Sequence, residues 1–107
     1  MFVVSDPLVF VHRVEINALA MRQGLPTVHM LQEYVVDGGL LSYGPNFVDF
    51  FRRSAEFVDR ILRGSRPAEL PVERPMLFRM VANLRTARAL GISVPPDLLA
   101  RADEVIE

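Results

Sequence analysis

Few side chains in this sequence could do chemistry, and their spacing limits what that chemistry is. Ser5 and Asp6 follow a short apolar run and precede Pro7. In an open α/β sheet the carboxyl end of a strand is where polar groups meet a ligand. A hydroxyl and a carboxylate there suit hydrogen bonds to a small solute, for instance to an amino group. Asp6 equally suits the N-cap of a helix that Pro7 opens, and the two roles are compatible. Tyr43 offers an aromatic face and a hydroxyl, for a ligand or for plain packing. His12 falls on the polar side of a helix and His29 in a strand, with no third ligand at metal-binding spacing. Both read as structural or surface histidines. A triad of Asp6, His29 and Ser42 lacks a nucleophile elbow. The pair Gly38-Gly39 precedes a strand instead of opening a helix, so it is no phosphate loop. Phe47, Phe50, Phe51 and Phe57 have helical core spacing, not that of an aromatic box. Cysteine is absent, which excludes thiol catalysis and disulfides. No catalytic residue, metal or cofactor is expected.

The elements that must hold these residues alternate along the chain. Residues 2–4 suit a short parallel strand buried on both faces. Residues 7–23 predict one helix burying Phe10, Val14, Ala18 and Met21, stopped by Gly24. Residues 25–30 read as a second strand, and residues 31–36 as one or two helical turns ended by Asp37, Gly38 and Gly39. Residues 39–44 cannot continue a helix through their glycines and the following Pro45; they read as a strand pinned at both ends. Residues 45–63 predict the strongest helix, its apolar stripe running through Phe47, Phe50, Phe51, Ser54, Val58 and Ile61. The other face pairs Asp49 with Arg53, Arg52 with Glu56, Glu56 with Arg60 and Asp59 with Arg63. Pro67, Pro71 and Pro75 make residues 65–75 an extended strap that forbids a helix. Residues 76–81 return to strand character, with Phe78 and Met80 on one face. Asn83 caps a helix over 84–90 that Gly91 stops. After a second strap, residues 97–106 predict a short amphipathic helix. The fold class is α/β, a Rossmann-like, largely parallel sheet with flanking helices.

Length and composition agree. The chain has 107 residues, half of them hydrophobic, enough for one small domain or part of a larger one. It carries 12 basic and 13 acidic residues, net −1, and every basic residue is Arg. Without a clustered basic excess, nucleic acid is not expected as a partner. No segment approaches the ~20 apolar residues that span a bilayer. The first residues lack a positively charged signal-peptide start and read as a strand, which suggests a truncated form, a fragment of a longer chain or a late start codon.

Several pieces then fall in a telling order: Asp6-Pro7 after a strand, Leu25-Pro26 before the next, and residues 38–44, Gly-Gly-Leu-Leu-Ser-Tyr-Gly. Residues 60–64 follow as Arg-Ile-Leu-Arg-Gly and residues 67–73 as Pro-Ala-Glu-Leu-Pro-Val-Glu. Next come residues 83–87, Asn-Leu-Arg-Thr-Ala, then Ala89-Leu90-Gly91 and Val94-Pro95-Pro96. Each motif is weak alone; the succession resembles the C-terminal part of the substrate-binding proteins of ABC transporters, in the cluster similar to tryptophan/tyrosine-binding proteins. The resemblance spans essentially this whole chain and roughly the last third of the family's protein.

What the resemblance implies is a partial type I periplasmic-binding-protein fold, in which two Rossmann-like lobes joined by crossing segments close on a ligand. Residues 1–37 would belong to the C-terminal lobe and residues 38–44 to a hinge crossing. Residues 45–75 would be an N-terminal-lobe helix and strap, and residues 76–107 the return to the C-terminal lobe. Gly38, Gly39 and Gly44 would be hinge positions that use their freedom in φ and ψ, and Ser5, Asp6 and Tyr43 the ligand contacts. The implied function is solute binding without chemistry for an ABC importer, outside the cytoplasm as a periplasmic or lipid-anchored protein. Its partners would be a small organic solute such as an amino acid and an ABC permease. The rest of the family's protein lies outside this sequence, so the chain is also expected to pair with a second copy as a homo-oligomer. The alternative is a self-associating α/β domain with no ligand of its own.

Overall fold

The computed structural model describes every residue except Pro75 and Met76; the strap proline and strand start expected there lie outside the described residues. Two compact units form, one from Met1–Gly44 with Arg79–Glu107 and one from Pro45–Phe78. The elements in order are α1 (Pro7–Val11), α2 (Arg13–Arg22), β1 (Val28–His29), α3 (Gln32–Val36), β2 (Leu41–Pro45) and α4 (Phe47–Leu62). A 3₁₀ turn (Pro67–Glu69), β3 (Phe78–Asn83), α5 (Leu84–Ala89), α6 (Pro96–Arg101) and β4 (Glu104–Ile106) complete the chain. The class is α/β: one four-stranded sheet in the order β1-β2-β3-β4, with flanking helices. The pairs β1–β2 and β3–β4 are parallel.

In the first unit the end of α3 is the most heavily anchored point. A helix leaves its last carbonyls without intrahelical partners, and here the Gly38 and Gly39 N–H groups and side chains from three other places bond to them. Asn17 Nδ2 on α2 donates to the carbonyls of Tyr34 (2.7 Å) and Asp37 (3.1 Å). Asn83 Nδ2 at the end of β3 donates to the Val35 carbonyl (2.9 Å), and Thr86 Oγ1 on α5 to that of Gly38 (3.0 Å). Gly38 turns left-handed (φ 102°) to let the chain leave the helix. The core that results is partly polar. Tyr34, Val35, His29, Ser42 and Val81 are fully enclosed, with Asn17, Thr27, Asn83 and Thr86 buried beside them.

Several expectations change. The strand expected at residues 2–4 is a single parallel bridge, Phe2 to Val28; only Val3 is buried, and Phe2 and Val4 are exposed. The helix expected over 7–23 is two, because the Arg13 guanidinium takes the Phe10 carbonyl (3.0 Å) and His12 leaves helical geometry (φ −94°, ψ 15°). Its buried face is also rotated: Asn17 and Ala20 point inward while Val14 is exposed. The carbonyls at the end of α3 draw Asn17 in, and Arg13 follows to pair with Asp37 (2.6 Å). A polar face therefore displaces the apolar one.

The C-terminal helix expected over 97–106 stops at Arg101, and residues 104–106 form β4. Ala102 turns extended (ψ 131°). Asp103 then clamps β3, its N–H donating to the Met80 carbonyl (2.9 Å) and its carboxylate accepting from the Met80 N–H (2.7 Å). The β-branched pair Val105 and Ile106 settles opposite Ala82 and Asn83. A local apolar count cannot separate this strand from a helix face; the pairing with β3 does.

The second unit is α4 and the strap. Asn46, ahead of α4, accepts through Oδ1 from the N–H groups of Val48 and Asp49. Asp59 pairs with Arg63 as expected, but Asp49 pairs with Arg52 (2.7 Å) and Arg53 reaches the strap at Glu73 (2.5 Å). No pair joins Glu56 to Arg52 or Arg60 among the described residues. The expected ban on helix in the strap yields to one turn, since Pro67 tolerates the first helical position. The expected apolar stripe is not buried: Phe47, Phe50, Phe51, Val58 and Ile61 are all exposed, and α4 has no buried residue.

Candidate functional site

Ser5 and Asp6 leave the sheet at the carboxyl end of the residue 2–4 segment and enter α1. Asp6 Oδ1 accepts from the Val9 N–H (2.9 Å), which fixes the carboxylate as the N-cap. The Ser5 hydroxyl oxygen is buried and has no hydrogen-bond partner in the protein. Both residues line a shallow depression of about 320 Å³ with Pro7, Phe10 and Leu31. Leu31 comes from the carboxyl end of the neighbouring β1, as parallel pairing requires. A hydroxyl and a carboxylate beside a Phe ring and a Leu side chain can hold a small molecule with one polar and one apolar end.

Tyr43 is not among the residues lining that depression. It follows Ser42, the β2 partner of His29, so it stands at the same edge of the sheet, and its ring is exposed. The structure thus brings Ser5 and Asp6 together and leaves Tyr43 on another strand. Phe10 and Leu31 were missed as lining residues. Phe10 had a signal, since four residues after Asp6 it shares that face of the helix; Leu31 had none, because its approach depends on the pairing of two strands.

Behind the depression lies a row of enclosed rings. Phe10 meets Tyr34 edge to face (5.8 Å), and Tyr34 stacks on His29 (4.6 Å, 16° between planes). His29 is fully buried, which makes it a core residue and not a surface one. The triad does not exist as chemistry: neither His29 nitrogen has a hydrogen-bond partner, so the ring is joined to neither Asp6 nor Ser42. Among the described residues no group of three or more His, Cys, Asp or Glu could hold a metal ion, and no helix is long and apolar enough to cross a membrane.

Residues 38–44 have a different physical demand from the one their glycines suggest. Only Gly38 is left-handed. At Gly39 a Cβ would stand 2.7 Å from His29 Nε2 and 2.8 Å from the Tyr34 carbonyl oxygen, and at Gly44 it would strike the Met30 carbonyl. These two glycines are needed for close approach, not for unusual φ.

Comparison with known proteins follows the same lines. Residues 2–106 match the family model described as ABC transporter substrate binding protein. Among solved structures, a conserved domain protein from Vibrio cholerae is 27% identical with a TM-score of 0.89, over 97% of this chain and 35% of that one. An ABC domain from Streptococcus pneumonia, solved in complex with L-Trp, is 25% identical with a TM-score of 0.88, over 98% of this chain and 36% of that one. A ligand-free, open substrate binding protein with adhesive properties from Clostridium difficile shares the fold, with a TM-score of 0.70 and 22% identity over 98% of this chain and 35% of that one. No curated protein matches the sequence. The chain spans about a third of the length of these solved relatives. By the match along nearly its whole length, the chain belongs to the family of ABC transporter substrate binding proteins.

Proposed function

We propose that the chain is the C-terminal part of a solute-binding component of an ABC-type importer, working outside the cytoplasm with a permease as partner and doing no chemistry on its ligand. The solute class is a small amino acid-like molecule, held by Ser5, Asp6 and Tyr43. In this reading residues 1–37 and 76–107 belong to one lobe, and residues 45–75 carry a helix and strap of the other. Residues 38–44 are the crossing about which the lobes close, with Gly38, Gly39 and Gly44 as hinge positions. The observation that carries it is the depression at Ser5 and Asp6, at the carboxyl edge of a parallel sheet, in a chain whose relative was solved with L-Trp. Calorimetry of the chain with a panel of amino acids including L-Trp tests it. Weak binding is expected, since one lobe leaves a ligand half solvated. Asp6→Ser should abolish the heat while changing stability by only about 0.5 kcal/mol, because serine also caps; unchanged heat in that variant removes Asp6 from the site.

A second reading rests on α4. Phe47, Phe50, Phe51, Val58 and Ile61 leave an apolar stripe on a helix in a unit too small to cover it. In a chain as long as the solved relatives the remaining residues are available to bury it. For the 107-residue chain the available cover is a second copy, and a homodimer is expected. Light scattering across a concentration series checks this. A monomer at all concentrations, with cooperative unfolding, contradicts it.

A further inference from the structure

His29 sits where the crossing residues leave α3, and its surroundings suit only one of its two protonation states. The ring is fully buried, one face is stacked on Tyr34, and neither nitrogen has a hydrogen-bond partner in the protein. The edge carrying Nε2 lies under Gly39, so close that any side chain there would overlap the ring. A neutral imidazole survives such a place at some cost, whereas an imidazolium does not without an acceptor or water.

The charged and titratable groups around it offer no compensation. From α3 comes the Tyr34 phenol, itself buried and without a partner. At the end of α3, Asp37 is engaged by Arg13 of α2. The neighbouring β2 contributes Ser42, which is uncharged. The amino terminus at Met1 contributes a positive charge, which opposes a second one on the ring.

What can yield is the turn above the ring. It is held by the Gly39 N–H to the Tyr34 carbonyl (2.8 Å), the Leu40 N–H to Thr27 Oγ1 (3.2 Å) and Thr86 Oγ1 to the Gly38 carbonyl. Two adjacent glycines make it the piece of the first unit that moves at least conformational cost.

We propose that His29 is an acid-operated latch on residues 38–40: neutral, it seals that turn against α3, and protonated, it forces the turn open. The consequence for solute release rests on the reading of residues 38–44 as a crossing; the latch itself does not, and its test uses no solute. Burial first, and the amino-terminal charge second, lower the ring from 6.5 to about 4. The open state therefore binds a proton that the closed state refuses. Closure is fully favoured above pH 6.5 and is lost as pH falls towards 4, by up to tenfold per unit and about 300-fold in all.

Amide hydrogen exchange on the full chain, followed residue by residue from pH 7 to pH 4 in low urea, tests this. Exchange at Gly39 and Leu40 is expected to rise on acidification, after correction for intrinsic rates, and to be insensitive to urea. The Leu90 amide of α5, bonded to the Thr86 carbonyl, should keep the urea dependence of global unfolding. If Gly39 and Leu90 share one urea dependence at every pH, acid acts only by unfolding the whole unit and the latch is wrong. Protection at Gly39 that is flat with pH overturns it as well. His29→Gln and His29→Phe should each remove the acid step, and a step that persists in either variant that folds also refutes the proposal. Absence of solute binding would leave all of these outcomes unchanged.

Discussion

Gly44→Ala should cost about 3 kcal/mol or more of stability, the largest single-methyl effect expected in this chain. An alanine Cβ at that position meets three backbone atoms of Met30 at once, its carbonyl oxygen and carbon (3.0 Å) and its Cα (3.3 Å). Flexible side chains can move aside, but these are backbone atoms of the residue directly after β1, whose pairing with β2 sets His29 opposite Ser42. Making room means prising the two strands apart, at the upper end of what overpacking costs. Urea unfolding of the variant against the parent measures it. Gly64→Ala is the control: its φ is 107° with nothing within 4 Å, so only the left-handed penalty of roughly 1–2 kcal/mol is expected. Equal losses at the two positions would show that the approach of β2 to Met30 is not the constraint.

Asn83→Ala should cost about 1.5–2.5 kcal/mol, because one side chain holds two elements. Its Oδ1 accepts from the Thr86 N–H (3.1 Å) and caps α5, while Nδ2 donates to the buried Val35 carbonyl (2.9 Å). A lost cap is worth ~1 kcal/mol, and losing the bond to the buried Val35 carbonyl, which keeps the Gly38 N–H (3.2 Å), adds about 0.5–1.5 kcal/mol. Asn83→Asp separates the two contributions. It keeps the cap but sets a carboxylate against the Val35 carbonyl, so at pH 7 it should be less stable than Asn83→Ala. At pH 4, where a protonated carboxyl can donate again, it should recover relative to the parent at that pH. An Asp variant that matches the parent at pH 7 would remove the Val35 bond from the account.

The role of Asn83 shows where sequence reading succeeds and where it ends. Its capping of α5 was legible, since an Asn before a helical stretch needs only residues three positions away. Its grip on Val35 spans 48 positions and left no local trace. The same division holds at the candidate site. Asp6-Pro7 announced the start of a helix at a strand end, but the floor of Phe10 and Leu31 depends on which strands are neighbours. His29 looked like a surface or structural residue because nothing nearby in sequence says that Tyr34 and Gly39 close over it.

By itself, then, the sequence determined what depends on short-range stereochemistry: alternation of strands and helices, caps at Asp6 and Asn83, stops at Gly24, Gly64 and Gly91, and a glycine-flanked strand between α3 and α4. It also carried the family, through motifs spread in order along the chain. Tertiary structure alone decided the phase of α2, where the carbonyls at the end of α3 attract Asn17 more strongly than the core attracts Val14. It decided that residues 104–106 are a strand, through the clamp of Asp103 on Met80. At Gly39 and Gly44 it decided the reason for glycine. Their φ angles are ordinary, and what excludes a side chain is the nearness of His29 and Met30, atoms brought there by the pairing of β1 with β2.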